Sequence, residues 1–274
     1  MMAGMSWIPA GRPLVFGHRG GSRLAPENTL AAFDRAVEEG ADGLELDVRL
    51  SRDGDVVVCH DGRLDRTCDE SGAVAELTAA ELARVDAGYR FAAPDGSHPF
   101  RGRGIGVPTL REVLSRYPRH SIIVEMKDDS PAMAEATVGV VREAGALGRI
   151  CLGSFWSGVL RHARRVAPEA ASSGSRGEVL HAIFCARFGW LPPFRRYQAL
   201  QVPERREWLR VVTPRFVRAA HRADVPVQVW IVDSEDDIRR LLGWGVDAVI
   251  TDRPDVAVRT VAEWSSGRRS TADG

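Results

Sequence analysis

Short β-rich runs alternate with amphipathic stretches from one end of this chain to the other, and that alternation limits its fold more than any other feature. The candidate strands are LVFGHRG, GLELDVRL, DVVVCHD, SIIVEMK, RICLGSF, AASSGS, ALQVP, VQVWIV and DAVITD. Strands separated by helix-length segments build βαβ units and a mostly parallel sheet. The expected fold is therefore α/β, a TIM (β/α)8 barrel over residues 12–262, and 274 residues suit one such domain. Nine runs compete for eight slots, so one of them is a side strand or no strand at all.

Helices fill most of the gaps. NTLAAFDRAVEEG places Leu30, Phe33, Ala36 and Val37 on one face and stops at Gly40, a residue able to close a helix in the left-handed conformation. TLREVLSRY, PAMAEATVGVVREAG, GVLRHARRVAP, TPRFVRAAHRA, SEDDIRRLLGWG and DVAVRTVAEW repeat the pattern. Two regions break the rhythm. Residues 62–107 are too long for an ordinary connection and read as a small insertion beside the barrel mouth. Within 176–212, VLHAIFCARFGWLPPFRRY reads first as a core helix ending at Pro192, and otherwise as a lid or substrate-side wall. Residues 263–274 are expected to form a frayed polar tail outside the domain.

The 37 basic and 37 acidic side chains cancel, which excludes a whole-molecule field that would recruit nucleic acid or an anionic membrane. Any anion must be held by a local site. The four cysteines form no C-x-x-C pair and read as reduced packing residues. The N-terminus lacks the basic and apolar regions of a signal peptide, and no run is long enough to span a bilayer. The expectation is a soluble, cytoplasmic protein with no stable membrane insertion.

Titratable residues gather at the ends of the strand candidates: His18 and Arg19, Glu45 and Asp47, His60 and Asp61, Glu125 and Lys127. A barrel carries its active site at that rim. Side chains alternate along a strand, so Glu45 and Asp47 share one face while Leu44 and Leu46 take the other, and Glu125 and Lys127 repeat the spacing. Three inward carboxylates repel one another unless a cation neutralises them, and all-oxygen ligands favour Ca²⁺ or Mg²⁺ over zinc, with Mn²⁺ a third candidate. The competing reading is a set of strand-end ion pairs, Glu45 with Arg19 and Glu125 with Lys127.

His18 and His60 both finish apolar runs at the same mouth, and imidazole is well tuned to move protons near neutral pH. One imidazole deprotonates an attacking hydroxyl while the other protonates a leaving alkoxide. A divalent ion, Arg19 and Lys127 hold the anion between them, which points to phosphodiester cleavage. His98, His120, His162, His181 and His221 sit in loops or helices and receive no role. Pro26 and the Asn28–Thr29 pair can start the first helix, and because they directly follow HRGG, Glu27 and Asn28 can also face the site, so capping and catalysis stay open for them.

GHRG, PENT, ELDV, HD, VPTLREVL, VEMK, VWIVD and TDRP, in that order from residue 14 to 256, resemble the glycerophosphodiester phosphodiesterase family. The resemblance implies a TIM barrel with an insertion after the H-D motif, hydrolysing glycerophosphodiesters to sn-glycerol 3-phosphate and an alcohol. It implies His18 and His60 as the acid/base pair, Glu45, Asp47 and Glu125 as metal ligands, Arg19 and Lys127 as phosphate contacts, and Trp230 as a pocket wall. Asp233 stands where related sequences commonly carry Asn. Two alternatives remain: a lysophospholipase D on the same scaffold, and a non-catalytic phosphodiester-binding barrel. Phe184, Phe188, Trp190 and Phe194 separate the first from the leading reading, since an exposed apolar patch beside the site favours a lipid substrate.

Overall fold

The computed structural model describes residues 7, 8, 11–193, 195–206 and 209–272. Its strands are β1 (Leu14–His18), β2 (Gly43–Leu50), β3 (Val56–Val58), β4 (Ser121–Met126), β5 (Ile150–Gly153), β6 (Ala171–Ser172), β7 (Leu200–Pro203), β8 (Arg205–Arg206), β9 (Leu209–Arg210), β10 (Val227–Trp230) and β11 (Ala248–Thr251). Eight of them pair in parallel in the order β6-β5-β4-β2-β1-β11-β10-β7. The ring closes between the ends of that order: Gln198 N donates to Ser172 O at 2.9 Å, and Gly174 N donates to Ala199 O at 3.0 Å.

The supernumerary run is DVVVC. Only Ser51–Asp55 separates β2 from β3, too short a connection for a parallel crossover, so the chain turns back and β3 pairs antiparallel with β2, Val58 opposite Val48. Cys59 N then donates to Asp47 O at 2.9 Å, which draws the next residue, His60, back to the level of the β2 carboxylates. His60 therefore reaches the mouth from a returning side strand, not from the end of a barrel strand.

The helices are α1 (Leu30–Glu38), α2 (Ala79–Leu82), α3 (Leu110–Arg116), α4 (Pro131–Glu143), α5 (Ser157–Val166), α6 (Arg176–Ala186), α7 (Pro214–His221), α8 (Glu235–Gly243) and α9 (Pro254–Ala272). Polar caps set several starts: Thr29 accepts from Ala32 N, Ser130 from Met133 N, and Thr109 with Glu112 forms a reciprocal capping box. Gly40 ends the first helix at φ +89°. Over the residues expected to fray, α9 continues to Ala272.

Strand alternation sorts the core. Leu44, Leu46, Ile122 and Val124 pack outward under α1, α3 and α4, whereas Phe16, Ile123, Cys151 and Ile250 fill the barrel interior. All four cysteines are free and buried. The segment between β3 and α3 has its own small core of Leu64, Cys68, Val74, Leu82, Val85 and Val107, packed on Val57.

Helix α6 is not the core helix expected of its sequence. Ala182, Cys185 and Ala186 face inward, but Leu180, Phe184 and Phe188 are 50–65% exposed and Trp190 is 47% exposed. The small inward residues let the helix sit close to the barrel, and its bulky side chains are left on the outer side. Phe194 lies outside the described residues.

Candidate active site

The site is built on the register of β2 and β4. Asp47 pairs with Glu125, and Glu45 lies one inward step earlier. One carboxylate oxygen from each of Glu45, Asp47 and Glu125 falls within 4.8 Å of the others. Glu45 and Asp47 are almost fully buried. Burial and the neighbouring Asp47 push the Glu45 carboxyl up to about 7. Burial acts the same way on Asp47, but Lys127 and Arg19 outweigh it and hold that group below its ordinary value. Lys127 Nζ stands 2.9 Å from both Asp47 Oδ1 and Glu125 Oε1, so the Glu125–Lys127 pair exists inside a larger cluster.

The turn after β1 closes the cluster from the other side. β1 runs beside β2 with His18 opposite Glu45. Arg19 adopts φ +51°, and Gly20 and Gly21 follow at +85° and +90°. This turn aims the Arg19 backbone N–H at Glu45 Oε2, at 3.0 Å, and the guanidinium at Asp47, 3.1 Å, and Glu27, 2.8 Å. Glu45 thus meets the backbone of Arg19 while the side chain serves Asp47. Asn28 donates to Asp47 Oδ2 at 2.8 Å and accepts from Asp47 N at 3.2 Å, whereas Glu27 joins Arg19 to Arg66 of the inserted segment. Both residues face the site, and capping falls to Thr29. A Cβ on Gly20 would stand 2.7 Å from the backbone of Ala32. Gly20→Ala is expected to lower the unfolding free energy by about 2 kcal/mol or more, read from urea denaturation.

Each histidine is braced by a carboxylate. His18 Nδ1 lies 2.7 Å from Asp252 Oδ1, and its Nε2 is 3.9 Å from Glu45. His60 Nδ1 lies 2.6 Å from Asp61 Oδ1. With Nδ1–H donating to the carboxylate, Nε2 of either ring is left for proton exchange. Burial disfavours the charged form of His18, but Glu45 and Asp252 outweigh it and raise its pKa. At His60 burial prevails over Asp47 and Asp61, and the pKa falls. Asp252 is the residue that motif reading passed over, although TDRP holds it. Asp233 supports it, accepting from Asp252 N at 2.8 Å and from Thr251 Oγ1 at 2.9 Å. These acceptor roles need only a side-chain oxygen, so Asp in place of Asn keeps the contact.

One cavity of about 580 Å³ takes in His18, Arg19, Glu45, Asp47, His60, Glu125, Lys127 and Trp230 together. Trp230 meets Phe155 edge to face at 6.3 Å. Val179, Leu180 and Ile183 of α6 complete an apolar wall opposite the charged floor.

The model of the glycerophosphoryl diester phosphodiesterase family matches residues 18–256, from the first of these histidines to just past Asp252. The chain belongs to that family. A glycerophosphodiester phosphodiesterase from Caldanaerobacter subterraneus subsp. tengcongensis is 32% identical, the match covering 91% of this chain and 98% of the relative. The fold of a glycerophosphoryl diester phosphodiesterase domain from Mycobacterium tuberculosis superposes with a TM-score of 0.80 at 24% identity, over 90% of this chain and 98% of that one. An Oleispira antarctica phosphodiesterase, solved with the product sn-glycerol-3-phosphate, is 26% identical with a TM-score of 0.71, over 92% of this chain and 97% of its own. Membership in the phosphodiesterase family fits the barrel and the acidic cluster, which offers only oxygen ligands. Among the described residues no helix is long and apolar enough to cross a membrane.

Proposed function

We propose that this protein is a metal-dependent phosphodiesterase hydrolysing glycerophosphodiesters, such as glycerophosphocholine or glycerophosphoethanolamine, to sn-glycerol 3-phosphate and an alcohol. The observation that carries this reading is the meeting of two carboxylate-braced imidazoles with a three-carboxylate cluster in one cavity. Free, buried cysteines and the absence of a spanning helix among the described residues support a cytoplasmic setting.

The residues fit a divalent cation. Glu45 is buried beside Asp47 and pays for that proximity with a pKa near 7, a cost that a cation on the shared oxygens removes. Glu45, Asp47 and Glu125 would hold it, and the all-oxygen set suits Ca²⁺ or Mg²⁺, with Mn²⁺ next. When bound, such an ion polarises a phosphoryl oxygen and neutralises charge developing on phosphorus.

The chain's own groups do the rest. Arg19 and Lys127 supply positive charge at the floor, the guanidinium suited to paired contacts with phosphate oxygens. One imidazole takes the proton of the attacking hydroxyl, whether of water or of the substrate's own glycerol, and the other gives a proton to the departing alkoxide. Asp252 and Asp61 fix the Nδ1–H tautomers that leave Nε2 free for both transfers. Trp230 and Phe155 supply an aromatic wall of the same cavity. Asp252→Asn is expected to reverse the tautomer preference of His18 and lower kcat by about 10²-fold or more, with the divalent-ion affinity retained.

A second reading rests on the apolar wall. Val179, Leu180 and Ile183 line the cavity, and Phe184, Phe188 and Trp190 stand exposed beyond it, an arrangement that favours a lysophospholipid whose acyl chain follows the wall. The deciding assay is release of glycerol 3-phosphate from glycerophosphocholine and glycerophosphoethanolamine by chelator-stripped protein, with Ca²⁺, Mg²⁺ or Mn²⁺ restored. Lysophosphatidylcholine is tested in parallel. Restored activity on the small diesters supports the first reading and activity confined to the lysolipid the second. Silence on every substrate leaves a barrel that only binds.

A further inference from the structure

The outer face of α6 goes beyond what hydrolysis requires. Leu180 and Phe184 lie one turn apart on α6, and Phe188, in the turn just beyond the end of the helix, adjoins them, with Phe184 and Phe188 ring centroids 5.5 Å apart. All three are at least half exposed, and Trp190 extends the patch. Exposed apolar residues concentrated in this way mark an interaction surface rather than ordinary surface scatter.

The charges beside the stripe select its partner. Segment 176–210 carries seven arginines and three glutamates, an excess of basic charge in a chain that is neutral overall. Of the acids, Glu178 is engaged by Arg164 and Glu204 by Arg240. Arg176, Arg187 and Arg206 are exposed and join no ion pair among the described residues. A second copy of the chain laid on this face would bring two basic flanks together. An anionic surface would complement them, and Phe and Trp beside Arg suit the boundary between lipid headgroups and acyl chains. Leu180 belongs both to the stripe and to the cavity wall, so the patch is continuous with the mouth of the site.

We propose that the outer face of α6 is a docking surface for anionic lipid bilayers, seating the protein peripherally with the cavity mouth at the membrane boundary. Binding of this kind needs no spanning helix and weakens as salt screens the arginines.

The test is sedimentation of the full chain with vesicles of phosphatidylcholine alone, or of phosphatidylcholine containing about one third phosphatidylglycerol. The wild-type protein is expected to bind the anionic vesicles and release them in high salt. F184S/F188S/W190S should lower partitioning by at least about ten-fold, and R187E, a single change at an exposed residue, by about five-fold or more. None of these side chains lines the cavity, so release of glycerol 3-phosphate from glycerophosphocholine should be unchanged in both variants. That control separates failure of docking from failure of the proposed catalysis. Absent binding by the wild type, or equal binding by wild type and variants, overturns the proposal. So does a wild-type dimer in light scattering that the triple variant converts to a monomer, which would assign the face to self-association.

Discussion

His60→Ala is expected to lower kcat by about 10²–10⁴-fold while leaving divalent-ion binding and the unfolding midpoint close to wild type. The ring is about one-third exposed, and its brace, Asp61, keeps a second partner in Arg66. Loss of the imidazole therefore strands no buried charge. The cluster of Glu45, Asp47 and Glu125 comes from β2 and β4, which do not depend on the His60 ring for their register. His18→Ala should have a comparable kinetic effect, but it leaves Asp252 without its 2.7 Å partner and is the less clean variant. Because the two rings act on one transition state, the double variant should be little worse than either single one. Titration calorimetry with the chosen ion, alongside steady-state rates, makes the check. A His60→Ala enzyme with near-normal turnover would sink the acid/base assignment.

Glu45→Gln is expected to lose ion affinity and activity together. The amide keeps an oxygen to accept from the Arg19 N–H but removes the charge that an ion would meet. In the wild type, an ion present at about a hundred times its Kd should stabilise the fold by ~2.7 kcal/mol, and this rise in Tm should vanish in the variant. Thermal melts with and without ion thus report on the ligand set independently of turnover. Asp47 is the poorer choice for this experiment, because its removal also takes the acceptor from the Asn28 amide and one of two carboxylate partners from each of Lys127 and Arg19. An undiminished ion-dependent shift in Glu45→Gln would show that the ion sits elsewhere.

Much of this was legible in the sequence because the strands of a barrel write their inward faces at every second position. Glu45 and Asp47 against Leu44 and Leu46 is such a pattern, and the structure sorts the four as the spacing predicts. The route by which His60 arrives was less legible. DVVVC has the composition of a barrel strand, and only the short link before it shows that the chain must double back. Asp252 escaped because its role depends on pairing β1 with β11, a contact between residues 234 positions apart. Helix α6 misled for a different reason. A helix apolar on both sides is expected to be buried, and sequence periodicity does not distinguish an inner face of alanines from an outer face of aromatics left exposed among the described residues.

The inserted segment leaves and rejoins the barrel at nearly one point. Val57 and Thr109 form an antiparallel bridge, and Val58 N donates to Pro108 O at 2.8 Å. Everything between hangs from that clasp with a core of its own. Beyond His60 and Asp61, which belong to the site, residues 62–107 are thus a module on its own core that lends no residue to the lining of the catalytic cavity, so the module can be shortened or exchanged without changing that lining. Arg66 ties the module to the site, holding both Glu27 and the Asp61 that braces His60, while Leu77, Ala79 and Glu81 tie it to Arg52 and Asp53 in the link between β2 and β3.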